Sequence, residues 1–199
     1  DALEEQGKRI GGDRLAKKLN IHNKKVLFVP FQRPSDTVIK YFSGSVNGVE
    51  EFSDFVVEVS RLLGDDWVVI AKKHPLEKNH PTDKIEFVDD NTHIKDLIEL
   101  SDALLLINSG VGVLSMMWYK PVFYVGEVFY GFDGINKHIK IPSLLVDELN
   151  NLFKVNHNKV HRFIYYLINE FYSFGQTKSE IIERVDGSKF NVTREIDFQ

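Results

Sequence analysis

The sequence predicts an α/β fold in which helices cover both faces of a Rossmann-like parallel sheet. Short, almost wholly apolar runs of strand length alternate with segments whose apolar residues recur at helical spacing. Residues 103–107 (Ala-Leu-Leu-Leu-Ile) show the strand pattern most clearly. A strand that is apolar on both sides has to be covered on both faces. The chain has 199 residues, 43% of them hydrophobic, which suffices for one core and little more.

Five strands and four main helices follow from this pattern. The expected strands, in chain order, are 26–31, 67–71, 85–88, 103–107 and, as the last of the sheet, 121–125. The expected helices are 49–63, 93–101, 110–119 and 160–171. Asn91 or Thr92 is the expected N-cap of the second of these helices. We expect residues 32–48 to form a polar loop.

Polar flanks mark the expected domain boundaries. Residues 1–25 contain a Gly-Gly break and a short helical segment at 13–19, and we expect an N-terminal arm or interdomain linker there. Residues 26–185 form the expected Rossmann-like domain, with a further helix over 178–184. Residues 186–199 are expected to form a polar C-terminal tail.

Composition excludes several function classes. The net charge is −4 and the pI is about 6.0, which argues against nucleic acid as a partner. The absence of cysteine excludes disulfides, thiolate metal sites and a cysteine nucleophile. No apolar run reaches membrane-spanning length, so a membrane link would be peripheral. The pairs Asp65-Asp66 and Asp89-Asp90 lack the spacing of a cation site, and we expect solvated turns there and no metal site.

Ligands in an open parallel sheet bind beyond the carboxyl ends of the strands, which directs attention to the residues that follow each strand. Asn108, Ser109 and Gly110 follow the most apolar strand and open a helix. Backbone N–H groups at such a helix start, together with the Ser109 hydroxyl, would favour a phosphate. An ordinary N-cap, with glycines for close packing against the sheet, explains the same residues equally well.

The other strand ends carry weaker signals. Lys73, His74 and Pro75 end the second strand, where an imidazole N–H and a lysine can bind a phosphate. Taken alone, this pattern is more typical of a strand-terminal turn with an exposed histidine. Gln32, Arg33 and Asp36 follow the first strand, and these side chains can bind sugar hydroxyls or an anion, or simply form a turn that caps a helix.

The loop after the last predicted strand offers an acid and aromatic rings. Glu127 can accept hydrogen bonds from ribose or sugar hydroxyls, and Phe129 or Tyr130 can pack on a ring. A connection with two buried aromatic residues is the alternative.

Taken together, these motifs resemble the capsule polysaccharide biosynthesis proteins, a family that includes the Kdo transferases. The resemblance covers residues 26–136 and rests on the order of five motifs: Gln-x-Pro-x-Asp, Lys-x-His-Pro, Asn-Ser-Gly-Val-Gly, Lys-Pro-Val and Gly-Glu-x-x-Tyr. It implies a GT-B glycosyltransferase that uses CMP-Kdo, without a cofactor or metal. The chain would supply the lobe that binds the nucleotide sugar.

The resemblance also implies roles for individual residues. His74 and Pro75 would bind the nucleotide, and Ser109 and Gly110 would touch its phosphate. Gln32 and Asp36 would lie near the donor sugar, Asp36 being the catalytic candidate, and Glu127 would lie near the nucleotide. Gly110 departs from the family pattern, since a second hydroxyl is expected at this position.

The chain has room for one Rossmann-like domain, whereas a GT-B enzyme needs two. The implied partners are therefore a second lobe, in the same or another chain, and a glycan or glycolipid acceptor. The implied location is the cytoplasm, at the inner face of the membrane. The alternatives are a CDP-glycerol or polyol-phosphate transferase lobe, a UDP- or GDP-sugar lobe, and a non-catalytic Rossmann-like module of a larger synthase.

Overall fold

The computed structural model describes residues 7–21, 23–172, 175–184, 187 and 189–198. Contacts divide the chain into two units, Asp1–Val160 and His161–Gln199. The helices are α1 (Gly12–Lys18), α2 (Thr37–Phe42), α3 (Val49–Leu62), α4 (Ile94–Leu100), α5 (Val111–Met116), α6 (Pro142–Asn150) and α7 (His157–Tyr166), which is followed by a π-helical turn, Leu167–Phe171. The strands are β1 (Lys25–Pro30), β2 (Trp67–Lys72), β3 (Glu86–Phe87), β4 (Ala103–Leu106), β5 (Val122–Tyr124), β6 (Asn136–His138), β7 (Gly175–Glu183) and β8 (Lys189–Phe198).

Strands β1 to β6 form one sheet in the order β3-β2-β1-β4-β5-β6. Every neighbouring pair in it is parallel. The predicted α/β class and parallel sheet are therefore confirmed. The strand order reverses at the β1–β4 pair, because the chain builds outward in one direction as far as β3 and then returns to add β4 on the other side. Such a reversal opens a crevice at the carboxyl ends of the two central strands.

Both faces of the sheet are buried, which explains why its strands are apolar along their whole length. Leu27 and Val29 of β1 and Leu105 of β4 pack in one cluster with residues of α3 and α6. Phe28 and Leu104 alternate with them, point to the opposite face, and are also fully buried. Two helices outside this cluster also contact the sheet: α4 contacts β1, and α5 contacts β4 and β5. Helices on both faces are thus confirmed.

The N-terminal segment packs against α4 through a buried carboxylate. Asp96 is 1% exposed. Its oxygens accept from the backbone N–H of Ile10 at 2.7 Å and from Arg9 Nε at 3.0 Å. Leu15 of α1 is buried as well. The short helix predicted over 13–19 is confirmed, one residue earlier than expected.

Several elements differ from the sequence prediction. The expected polar loop 32–48 contains α2, which begins after Asp36 and buries Ile39. His93, rather than Asn91 or Thr92, is the N-cap of α4, since its ring nitrogen accepts from the backbone N–H of Lys95. The helix expected over 110–119 is the six-residue α5. A sixth parallel strand, β6, follows the strand that was expected to be last.

In the second unit, the prediction of a helix over 178–184 is wrong, because residues 178–183 belong to strand β7 and residue 184 follows it. Strand β7 pairs antiparallel with β8, which lies within the expected tail. The chemical signals for a hairpin are present: polar and apolar residues alternate in 189–198, and Asp186-Gly187 is a common turn dipeptide. Cross-strand ion pairs, among them Lys178 with Glu195 at 2.7 Å, connect the two strands.

Candidate functional site

Gln32 and Asn108 join β1 to β4 at the reversal of strand order. Gln32 Nε2 donates to Asn108 Oδ1 at 2.9 Å, and the backbone N–H of Asn108 donates to Gln32 Oε1 at 3.1 Å. Asn108 Nδ2 also donates to the carbonyls of Val38 and Phe42, in the first and last turns of α2. The two amides predicted as ligand contacts thus hold two central strands and a helix together at the edge of the crevice.

A cavity of about 320 Å³, here called the His74 pocket, opens beside this bridge. It brings together six of the residues singled out from the sequence: Gln32, Lys73, His74, Pro75, Ser109 and Gly110. The remaining wall is mainly apolar and includes Phe31, Ile94 and Leu114. A largely apolar cleft with a few convergent polar groups is the usual form of a small-molecule site.

His74 is oriented by the turn that it begins. The backbone N–H of Leu76 donates to His74 Nδ1 at 3.2 Å, so the neutral ring carries its proton on Nε2. Burial lowers the pKa of His74 below its ordinary value, although the nearby carboxylate of Asp36 acts in the opposite direction. The imidazole is therefore mainly neutral at pH 7. Within the described part of the chain no protein group accepts from Nε2, which leaves this N–H for a ligand.

Ser109 is fixed through its backbone by Tyr130. The Tyr130 hydroxyl donates to the Ser109 carbonyl at 2.5 Å. The Ser109 Oγ accepts from the backbone N–H of Val111 at 3.2 Å, which leaves its own proton to donate elsewhere. Tyr130 is 1% exposed, and burial raises its pKa. The ring that was expected to pack on a ligand instead supports the turn that carries Ser109.

Arg33 and Asp36 lie beside the pocket wall. Arg33 Nε is 3.0 Å from Glu77 Oε1, in an ion pair that is about one third exposed on each side. Asp36 is the N-cap of α2 without a side-chain capping bond. Its carboxylate lies close enough to His74 to oppose the lowering of the imidazole pKa by burial, so the two side chains are near each other.

A second cavity of about 560 Å³, the Glu127 pocket, shares Gln32 and Gly110 with the first. Glu127 and Asn108 line it, and its apolar lining is Val38, Phe42, Val128 and Phe129. Sequence reasoning missed Val38 and Phe42 because it placed them in a loop. The spacing of these two residues after the N-cap Asp36 was the available signal for a short helix.

Among the described residues, no group of three or more His, Asp or Glu side chains is placed to hold a metal ion. None of the described helices has both the length and the apolar composition needed to cross a membrane.

Comparison with known proteins decides the family. The model of the CDP-glycerol:poly(glycerophosphate) glycerophosphotransferases matches residues 1–111, more than half of the chain. The chain belongs to this family. The matched span includes His74 and Ser109 and ends before Glu127. The sequence motifs resemble those of transferases of bacterial polysaccharide assembly, and the family match confirms this resemblance.

Protein FixF of Sinorhizobium fredii (strain NBRC 101917 / NGR234) is a similar protein: it is 30% identical over 115 residues, which cover 55% of this chain and 28% of FixF. The β-Kdo 2,7-transferase KpsC of Thermosulfurimonas dismutans has a similar fold, with a TM-score of 0.55 and 18% identity over 96% of this chain and 61% of KpsC. Anabaena Alr3699/HepE, solved with UDP-glucose, gives a TM-score of 0.50 and 12% identity over 84% of this chain and 56% of HepE.

These likenesses show that the fold is a Rossmann-like lobe of the GT-B kind. The chain spans less than two thirds of the length of each of these three proteins.

Proposed function

We propose that this chain is the donor-binding lobe of a transferase that uses a cytidine nucleotide to extend a bacterial polysaccharide. The observation that carries the proposal is the convergence of His74, Ser109 and Gly110 in one pocket at the reversal of strand order. Membership of the CDP-glycerol family supports the choice of cytidine. We place the reaction in the cytoplasm, with a glycan or glycolipid as acceptor and a second lobe as partner.

Two donors fit this proposal, and both release the same leaving group. In transfer from CDP-glycerol, an acceptor oxygen attacks the phosphorus that carries glycerol, and CMP leaves with the electrons of the broken P–O bond. In transfer from CMP-Kdo, the acceptor oxygen attacks the anomeric carbon, and CMP leaves again. The family match favours glycerol phosphate as the transferred group. The motif resemblance to Kdo transferases supports CMP-Kdo as the second candidate.

The pocket residues have the chemistry to stabilise departing CMP. The Nε2–H of His74 and the hydroxyl of Ser109 can each donate to a phosphate oxygen as negative charge develops on it. We propose that these donors act without a bridging cation. Asp36, which lies near His74, is the candidate base for the acceptor hydroxyl.

The test is a binding panel of CMP, CDP, CDP-glycerol, UDP and GDP, measured by thermal shift and calorimetry. We expect the cytidine nucleotides to raise Tm most. His74→Ala and Ser109→Ala should each weaken cytidine binding by about tenfold or more, as expected for loss of a hydrogen bond to a charged group.

His80→Ala is the matched control, because the His80 ring stacks on Phe87 at a centroid distance of 4.4 Å rather than lining the pocket. Equal stabilisation by all five nucleotides, or full affinity in His74→Ala, would instead favour a non-catalytic module.

A further inference from the structure

Lys73 lies in the wall of the His74 pocket, but the protein itself binds its ammonium group on two sides. Its Nζ is 2.8 Å from Asp90 Oδ2 and donates to the backbone carbonyl of Glu77 at 2.7 Å. The Lys73 side chain is only 7% exposed. A charge this deeply buried needs such partners, and an ammonium group that left them for a ligand would lose both interactions.

The Glu77 carbonyl that Lys73 holds belongs to the turn that orients His74. The backbone N–H of Glu77 donates to the His74 carbonyl at 3.0 Å. Within the same turn, the N–H of Leu76 donates to His74 Nδ1 and thereby directs Nε2 away from the backbone. Lys73 thus fixes the far end of a four-residue turn whose near end is the imidazole.

Asp90, the partner of Lys73, belongs to a loop that is held from the other side by the N-terminal segment. The carboxylate of Asp89 pairs with Lys18 at 2.9 Å, and the carbonyl of Asn91 accepts from the N–H of Gly7 at 2.8 Å. The aspartate pair that resembled a solvated turn in the sequence therefore makes defined contacts. Although the Asp90 carboxylate is 63% exposed, its loop is anchored on both flanks.

We propose that Lys73 is a positioning residue for His74, held in place by Asp90, and not a ligand of the nucleotide phosphate. This inference rests on the proposed function for the role of His74. It replaces the direct phosphate contact that the sequence suggested for Lys73 with an action through the 74–77 turn.

The first test needs no nucleotide. Amide hydrogen exchange is measured in the wild type, in Lys73→Met and in Asp90→Asn. We expect the amides of Leu76 and Glu77 to exchange about tenfold faster or more in Lys73→Met, because the turn loses a charge-assisted hydrogen bond. In Asp90→Asn we expect faster exchange as well, because the lysine that holds the Glu77 carbonyl loses the ion pair that fixes it. Core amides of β1 and β4 should exchange at wild-type rates, which shows that the fold is intact. If Lys73→Met does not fold, Asp90→Asn decides the matter alone, since it keeps the lysine.

The second test uses CDP-glycerol, whose diphosphate diester keeps a constant charge between pH 7.5 and 5.5. Protonation of His74 adds a positive charge to the pocket, so wild-type affinity should rise as the pH falls through this range. The charged groups that act on His74 are Asp36, Glu77, Arg33 and Lys73. We expect this rise to diminish in Asp90→Asn, which leaves all four of these groups in place, while the salt dependence of binding stays that of the wild type in both variants.

Asp65→Asn is the matched control, because Asp65 is exposed and precedes β2, at the opposite end of the strand from His74. It should match the wild type in both tests. A direct phosphate contact would give Lys73→Met a weaker salt dependence with unchanged exchange at Leu76 and Glu77, and that result would overturn the inference. Wild-type exchange in both variants would overturn it as well. Because the exchange test is free of ligand, it can succeed even if the cytidine proposal fails.

Discussion

Two glycines that follow β4, Gly110 at the start of α5 and Gly112 within it, have different structural roles. A Cβ at Gly112 would lie 2.6 Å from the hydroxyl and 2.8 Å from ring carbons of Tyr130, a fully buried side chain. A Cβ at Gly110 would meet no protein atom within 4 Å. Gly112 is therefore needed for packing, whereas the space at Gly110 belongs to the pockets that it lines.

We expect Gly112→Ala to destabilise the protein by about 1–2 kcal/mol, because overpacking against Tyr130 exceeds the gain in helix propensity. Gly110→Ala should leave the stability within about 1 kcal/mol of the wild type, since its backbone is already helical at φ −60°. It should nevertheless weaken CDP-glycerol binding. Chemical denaturation and calorimetry on both variants check this pair, and wild-type binding by Gly110→Ala would show that the ligand does not approach this turn.

The residues that line the site could be predicted from the sequence, but the contacts that their side chains make could not. The apolar run of β4 followed by Asn108, Ser109 and Gly110 marks a strand end whatever the side chains do there. Sequence cannot reveal that the Asn108 amide binds Gln32 and two carbonyls of α2, since those partners are brought together only by the strand order. For the same reason, the sequence left open whether Tyr130 packs on a ligand or is buried, as the structure has it.

At the scale of elements, the contact between the N-terminal segment and α4 depends on Asp96. Burial raises the pKa of this carboxyl, but hydrogen bonds from the Ile10 backbone and Arg9 outweigh burial, so the pKa is lowered. We expect Asp96→Ala to cost about 2–3 kcal/mol of unfolding free energy, because two donors lose a charged acceptor. The exposed Asp54→Ala in α3 is the control and should stay within about 0.5 kcal/mol.

The pH dependence of this effect has a defined sign. A carboxyl whose pKa is lowered by folding stabilises the protein above its unfolded pKa of about 3.9, and this stabilisation disappears as the pH falls through the lower folded value. The stability difference between wild type and Asp96→Ala should therefore be constant from pH 5 to 7 and shrink below pH 3.9. A difference that grows in acid would contradict the assignment of Asp96 as the charged acceptor.

Elements were predictable where packing and pattern agree. The strands β1, β2 and β4 are buried on both faces, which requires the apolar runs by which the sequence predicts them. The three residues of β6 are polar, and their pairing comes from β5 rather than from any pattern of their own. The β7–β8 hairpin was missed, although the alternation of polar and apolar residues after Gly187 favoured a strand.

At the scale of the whole molecule, the strand order explains why both pockets lie at the carboxyl ends of β1 and β4. Crossovers leave β1 and β4 in opposite directions, so the loops after these two strands separate and create a crevice. The sequence predicts parallel strands but not their order, since the order depends on where each helix returns. Both pockets open at this crevice and share Gln32 and Gly110, so they form one extended cleft. In the proposed function this cleft binds the nucleotide and its attached group.

In the proposed function, this lobe binds the leaving group, and the acceptor is aligned against a second lobe. Alignment of two reactants accounts for a large part of a transferase's rate, about 7–11 kcal/mol in favourable cases. We therefore expect the 199-residue chain to bind CDP-glycerol but to release CMP at a rate close to that of the uncatalysed reaction. A coupled assay of CMP release, with and without a glycerol phosphate oligomer as acceptor, measures this. Transfer at rates typical of enzymes, about 1 s⁻¹ or faster, would show that a single Rossmann-like lobe completes the site by itself, and it would move the search for the acceptor to the Glu127 pocket.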